Sequence, residues 1–189
     1  LPSFPQILLI GSLVDCFEMG KRSVLFVCLA NTCRSPMAEA IFAELSDPER
    51  WDCDSAGTSS MRVGSPPDPR SMAVMTKYGL KKTSHVARQV RTSDFTKFDY
   101  ILCMDEGNLA KVMSMRPPNV RCHIGLLAAF DPLGKKEVSN PFKDRSGVLY
   151  EQCYAQRGAS RPSYNNRMIA YSKHPNVSLL PNAKVSLSV

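Results

Sequence analysis

The most constraining stretch of this 189-residue chain is Val24-Leu25-Phe26-Val27, which runs directly into Cys28-Leu29-Ala30-Asn31-Thr32-Cys33-Arg34-Ser35-Pro36. Four apolar residues in a row, branched or aromatic, predict a buried strand. Ser35-Pro36-Met37-Ala38-Glu39-Ala40-Ile41 predicts a helix with Ser35 as its N-cap and Pro36 in the first turn. The segment between them, Cys28 to Arg34, therefore ends at a helix N-terminus. Backbone N–H groups and the positive end of the helix dipole face whatever lies there. A cysteine and an arginine bracket a cradle suited to an oxyanion.

A phosphate in that cradle would accept bonds from the loop amides of Leu29, Ala30, Asn31, Thr32 and Cys33. Arg34 adds a planar fork that matches two phosphate oxygens. Cys28 would lie beneath the phosphorus, in a field that favours its nucleophilic thiolate form. Ser35 is placed to hydrogen-bond the sulfur and ease its departure. Asn31 can take a left-handed backbone conformation in mid-loop without glycine. The plainer alternative makes Cys28 a buried strand-end cysteine and Arg34 a surface residue. The coincidence of strand, Cys-x5-Arg-Ser and helix weighs against it.

The remaining elements alternate. Trp51 to Ala56 predicts a strand, Asp68 to Tyr78 a helix stopped by Gly79, Asp99 to Met104 a buried strand, Asp105 to Met115 a helix with Asp105 as its cap, and Cys122 to Leu127 a fourth strand. Strands alternating with helices imply an α/β fold: one doubly wound domain, its four-stranded parallel sheet flanked by helices. The phosphate-binding loop follows the first strand, at the carboxyl edge where such sheets bind ligands.

With these residues in hand, the chain resembles the low molecular weight protein tyrosine phosphatases. Cys28 to Pro36 is similar to that family's signature. Asp54-Ser55-Ala56-Gly57, Ser84-His85-Val86-Ala87-Arg88-Gln89 and Phe98 to Asp105 match its eukaryotic members in order and spacing. The resemblance implies a cysteine phosphatase that works through a phospho-cysteine intermediate, without metal or other cofactor, on a phosphoprotein substrate. It implies Cys28 as nucleophile, Arg34 as phosphate clamp, and Asn31, Ser35, Ser55 and His85 as a hydrogen-bonded support for the loop. It implies that Cys33 can pair with the nucleophile under oxidation.

The chain departs from the family pattern in places that bear on chemistry. The family carries its general acid in an Asp-Pro-aromatic segment, whereas this chain reads Asn140-Pro141-Phe142-Lys143-Asp144. A neutral amide at position 140 has no proton to give a leaving group. Asp144 could substitute if the loop bends. Phe142 keeps an aromatic pocket wall, Lys143 replaces a second aromatic residue, and Met61 stands in a wall loop where an aromatic residue is common in the family. Thr32 replaces an aliphatic residue and resembles members that act on phosphoarginine. Three readings follow: a phosphotyrosine phosphatase, also active on small aryl phosphates; a phosphoarginine phosphatase; or a phospho-ligand binding module that turns over weakly because of Asn140. Arsenate reduction, which can use a related loop, ranks last because no cysteines for a redox relay are evident.

The resemblance divides the chain into an N-terminal extension (1–21), a phosphatase domain (22–156) and an atypical basic tail (157–189). The extension reads as upstream sequence, because Met19-Gly20-Lys21-Arg22 has the look of a natural start. The tail holds no Asp or Glu and is rich in Ser, Asn and Pro, which predicts disorder. The net charge of +7 favours anionic substrates. Without aromatic-basic interleaving or a nucleic-acid motif, no nucleic-acid partner is expected, and no run is long enough to span a membrane. Seven cysteines with no paired-disulfide spacing suit a reducing cytoplasm. The oligomeric state is left open.

Overall fold

A computed structural model describes residues 20–80, 84–130 and 136–158. The expected extension up to residue 19 and the expected tail beyond residue 158 lie outside the described residues. Four strands, β1 (Arg22–Cys28), β2 (Trp51–Gly57), β3 (Tyr100–Cys103) and β4 (His123–Leu126), form one parallel sheet in the order β2-β1-β3-β4. Among the described residues, five α-helices accompany them: α1 (Arg34–Leu45), α2 (Pro69–Lys77), the single turn α3 (Asp94–Lys97), α4 (Glu106–Met115) and α5 (Val148–Gly158).

The continuous apolar character of β1 has a direct structural cause. Successive side chains of a strand point to opposite faces, and both faces here are covered. Val24, Phe26 and Cys28 pack with Met37, Ile41 and Phe42 of α1, Val74 and Met75 of α2, and Tyr150 and Cys153 of α5. Leu25 and Val27 pack on the other face with Val90, Phe95, Phe98 and Val112. An aromatic row, Phe26–Phe42–Trp51–Tyr100, closes the first face with ring centres 5.5 to 5.9 Å apart. Cys103 is fully buried in the core, whereas Cys53 is only half-buried and directs its thiol to the Glu39 carbonyl.

Because β1 lies at the centre, the chain leaves it toward β2 on one side and later returns to β3 on the other. The strand order reverses at β1, and a parallel sheet opens its ligand crevice outside the carboxyl end of such a strand. Cys28 is the last residue of β1. Register places it beside Gly57, the last residue of β2. A Cβ on Gly57 would stand 2.8 Å from the Leu29 carbonyl oxygen and 3.1 Å from the Asn31 nitrogen, so the loop lies close against that glycine.

Phe26→Ala removes a ring that is 1% exposed in the middle of this layer. The expected loss is about 3–5 kcal/mol of stability. Denaturant unfolding of both chains checks it, and a loss below about 1 kcal/mol would contradict the packing described.

Candidate active site

The loop between β1 and α1 is organised around one backbone conformation. Asn31 has φ 54°, the left-handed region, and its residue type tolerates it. All of its polar groups are engaged. Its side-chain Nδ2 donates to Ser35 Oγ at 3.0 Å and to Ser55 Oγ at 2.8 Å. Its Oδ1 accepts the Arg88 N–H at 2.9 Å, and its carbonyl lies 3.0 Å from His85 Nε2. Its own N–H points at the Cys28 sulfur, 3.3 Å away. Asn31 is fully buried, so each of these bonds replaces one that water would otherwise supply.

The Cys28 sulfur also lies 3.0 Å from Ser35 Oγ. Since Asn31 donates to that oxygen, the single hydroxyl proton of Ser35 can face either the sulfur or the Ala56 carbonyl at 3.3 Å. Ser35 was expected as the N-cap of the helix. The structure starts α1 at Arg34, with Cys33 in the cap position and no side-chain cap bond. The serine hydroxyl is instead turned inward, where the amide of Asn31 and the sulfur of Cys28 occupy it. Pro36 remains in the first turn, as expected.

Beneath Asn31 lies a buried support. Ser55 Oγ donates to Glu39 Oε2 at 2.8 Å, and His85 Nδ1 lies 3.4 Å from the same oxygen. Ser55 and His85 were expected here; Glu39, on α1 and 3% exposed, was not. The signal for it was a carboxylate within the apolar run Met37 to Phe42, where a solvated face would carry several polar residues rather than one. Arg88 was also missed as an individual contributor. Its guanidinium bridges Asp54 at 2.9 Å and Asp94 at 3.0 Å, which holds its backbone against Asn31.

Arg34 is 3% exposed. Its Nη1 donates to Asp105 Oδ2 at 2.6 Å and to the Val138 carbonyl at 3.0 Å. Asp105 does cap α4, through Oδ1 accepting the Asn108 N–H at 2.7 Å. Its second oxygen has a separate task, orienting the guanidinium plane. That double use explains why an aspartate recognisable as a cap carries more than a cap's role.

The loop's far side is also tied down. The carbonyls of Cys28, Leu29 and Thr32 accept N–H bonds from Thr58, Ser59 and Asp68 at 2.8 to 2.9 Å. These bonds fix three of the loop's carbonyls, while the Asn31 N–H meets the Cys28 sulfur. Cys33 is buried, its sulfur 3.7 Å from both Thr32 Oγ1 and Tyr150 Oη, and burial pushes its thiol pKa up. Thr32 is 7% exposed.

The residues expected to form the pocket walls are exposed. Met61 is 75% and Phe142 54% exposed, and Lys143 is exposed beside it. Leu29, 43% exposed, adds an apolar surface at the loop itself, while Ala30 is half-buried. Asn140 caps the short 3-10 turn Pro141–Lys143, its Oδ1 accepting the Phe142 N–H at 3.2 Å. The Asp144 carboxylate is engaged by three donors in this conformation. One carboxylate oxygen accepts from Ser146 N–H and Oγ at 2.8 and 2.6 Å, and the other accepts from Leu149 N–H at 2.7 Å. The Ser146 hydroxyl and the Leu149 amide hold its carboxyl below the usual carboxylate range. Asp144 is committed, ionised, to the start of α5.

A family model for low molecular weight phosphotyrosine protein phosphatases matches residues 23–161. The protein of that name from Mus musculus is 44% identical over 145 residues, covering 72% of this chain and 91% of the mouse protein. Among solved structures, a protein tyrosine phosphatase from Entamoeba histolytica, crystallised with Hepes in its active site, superposes with a TM-score of 0.73 at 29% identity. It covers 81% of this chain and 98% of its own. A Drosophila arginine phosphatase superposes with a TM-score of 0.66 at 34% identity, covering 79% of this chain and 97% of its own.

Substitutions at Asn31 separate backbone from side chain. Asn31→Gly keeps the left-handed conformation and loses the amide bonds; Asn31→Ala loses both and should be less stable by a further ~1 kcal/mol or more. Urea unfolding measures that difference. Titration with inorganic phosphate should show both variants weakened. An Asn31→Gly chain that binds phosphate as the parent does would show that the side chain does not shape the cradle.

Proposed function

Since the chain belongs to the low molecular weight phosphotyrosine protein phosphatase family, a family of hydrolases, we propose how this cysteine-dependent phosphatase works. Cys28 attacks phosphorus in line with the leaving oxygen. The S–P bond forms as the P–O bond of the ester breaks, and water then attacks the phospho-cysteine to release phosphate. The observation that carries this reading is the setting of the Cys28 sulfur, which faces both the Asn31 N–H and the Ser35 hydroxyl at the N-terminal end of α1. Charge developing on the equatorial oxygens meets the loop amides and the Arg34 fork, which Asp105 orients. These groups are in place before substrate arrives, so little reorganisation is needed.

Protein phosphotyrosine is the proposed substrate class. Phe142 and Met61 supply apolar walls for an aromatic ring, and the exposed Lys143 favours acidic neighbours on the phosphoprotein. The phosphoarginine reading has support in Thr32 and in the similarity to the Drosophila arginine phosphatase. Against it, Thr32 is buried and its hydroxyl lies against the Cys33 sulfur, so it is poorly placed to meet a guanidinium. Rates on phosphotyrosine and phosphoarginine peptides distinguish the two. A reaction that needs free thiols fits the cytoplasm. Among the described residues, no helix is long and apolar enough to cross a membrane.

The leaving group is where this chain differs. Loss of a well-placed general acid costs on the order of 10²–10⁴-fold, and most for leaving groups that depart poorly as anions. With Asn140 as an amide and Asp144 held ionised by three donors, the parent chain should hydrolyse an activated aryl phosphate far better than phosphotyrosine. Cys28→Ser should abolish both activities, and Arg34→Lys should lose most of each because a point charge cannot replace the fork. Asn140→Asp should raise the phosphotyrosine rate much more than the activated-ester rate. It should also add a limb in which kcat falls as pH rises through the new carboxyl's titration, since only its protonated form can donate. Steady-state kinetics on both substrates across pH test this. Equal rates before and after Asn140→Asp would remove position 140 from the reaction, and tight phosphotyrosine binding without turnover in the parent chain would make it a binding module.

A further inference from the structure

We propose that Arg70 is the positioning residue that sets the aromatic wall of the pocket, holding Phe142 in place relative to the phosphate loop. The inference rests on the phosphatase reading above. Arg70 is the second residue of α2, and its guanidinium joins two otherwise separate parts of the site. On one side, Nε and Nη2 donate to the two Asp68 oxygens at 2.9 and 2.8 Å. The Asp68 N–H in turn donates to the Thr32 carbonyl of the phosphate loop at 2.8 Å. On the other side, Nη1 donates to the carbonyls of Asp144 and Phe142 at 2.8 and 3.4 Å. The guanidinium carbon lies 4.7 Å from the centre of the buried Tyr150 ring and 5.9 Å from that of Phe142.

The wall depends on this bridge because other restraints act elsewhere. Residues upstream of the turn have their own anchors. Val138 N–H donates to the Met104 carbonyl, the Val138 carbonyl accepts from Arg34, and the Ser139 carbonyl lies 3.2 Å from Cys153 Sγ. Downstream, Asp144 is fixed to the start of α5. Phe142 itself is more than half exposed and gains little from packing. Its carbonyl and ring meet Arg70, and its N–H meets Asn140 on the same turn. A planar fork can serve a carboxylate, two carbonyls and two rings at once, whereas an ammonium cannot. The Arg70 guanidinium bonds to Asp68, Phe142 and Asp144, so its effect should fall on recognition of the aryl group more than on recognition of phosphate.

The test compares phenylphosphonate with inorganic phosphate, which share an oxyanion and differ in the ring. Calorimetric affinities would be measured on the full chain and on Arg70→Ala, Arg70→Lys, Phe142→Ala and the double variant Arg70→Ala/Phe142→Ala. Arg70→Ala should bind phosphate within about twofold of the parent chain and should lose on the order of tenfold toward phenylphosphonate, as Phe142→Ala does. The double variant should be no worse than either single one, because both changes remove the same wall. Arg70→Lys should lose aryl preference in the same direction and serves alone if thermal unfolding shows Arg70→Ala to be unfolded. An unchanged aryl preference, a parallel fall in phosphate affinity, or losses that multiply in the double variant would each overturn the role of Arg70 while leaving the phosphatase reading intact. A parent chain that binds neither ligand would overturn both.

Discussion

The site depends on the buried amide of Asn31. A loop that turns its N–H groups inward must turn its chain through a conformation most residues avoid, and then must hold it. Asn31 supplies the turn with φ 54° and holds it with bonds to α1 through Ser35, to β2 through Ser55, and to the segment before α3 through Arg88. Stability and chemistry meet at this residue. The groups that keep the loop from relaxing also aim the Ser35 hydroxyl and the Asn31 N–H at sulfur. Removing any partner would leave a buried donor or acceptor unmatched, which costs about 1–3 kcal/mol.

Arg34, the proposed phosphate clamp, is held by a similar logic. A guanidinium on a long side chain loses rotamer entropy when it binds. Asp105 and the Val138 carbonyl impose that loss during folding, where the core offsets it, rather than during substrate binding. The rim follows a different rule. Met61, Phe142 and Lys143 are exposed and lie on turns, where residue changes cost the core little. The departures at Asn140, Lys143 and Met61 fall in this permissive layer, whereas Thr32 is a departure within the buried loop itself.

Much of this was readable before any coordinates. The unbroken apolar run of β1 required cover on both faces, and the alternation of strands and helices required a parallel sheet. Cys28, Arg34 and Asn31 followed from a loop closing on a helix N-terminus. What was not readable depends on long-range pairing. Asp105 signals a cap through local spacing, but its second oxygen meets Arg34 only because β3 lies beside β1. Glu39 and Arg88 are ordinary in sequence and gain their roles from partners 16 and 34 residues away. The misplaced cap at Ser35 has the same origin. A local rule for serine at a helix start was overridden by a sulfur and an amide that the fold delivers to its hydroxyl.

The central placement of β1 has a further consequence for how the molecule comes into being. Its parallel neighbours are separated from it by whole crossover units, so no pairing in the sheet is local. Contacts of that kind form late, after the entropy of closing long loops has been met. The thiol of Cys28 is thus made early in the chain, while Ser55, His85, Arg88, Asp105 and Val138, which complete its surroundings, arrive one after another from its C-terminal side. A nascent chain carries the Cys28 thiol long before it carries the residues that surround it, so that setting is complete only once the sheet has closed.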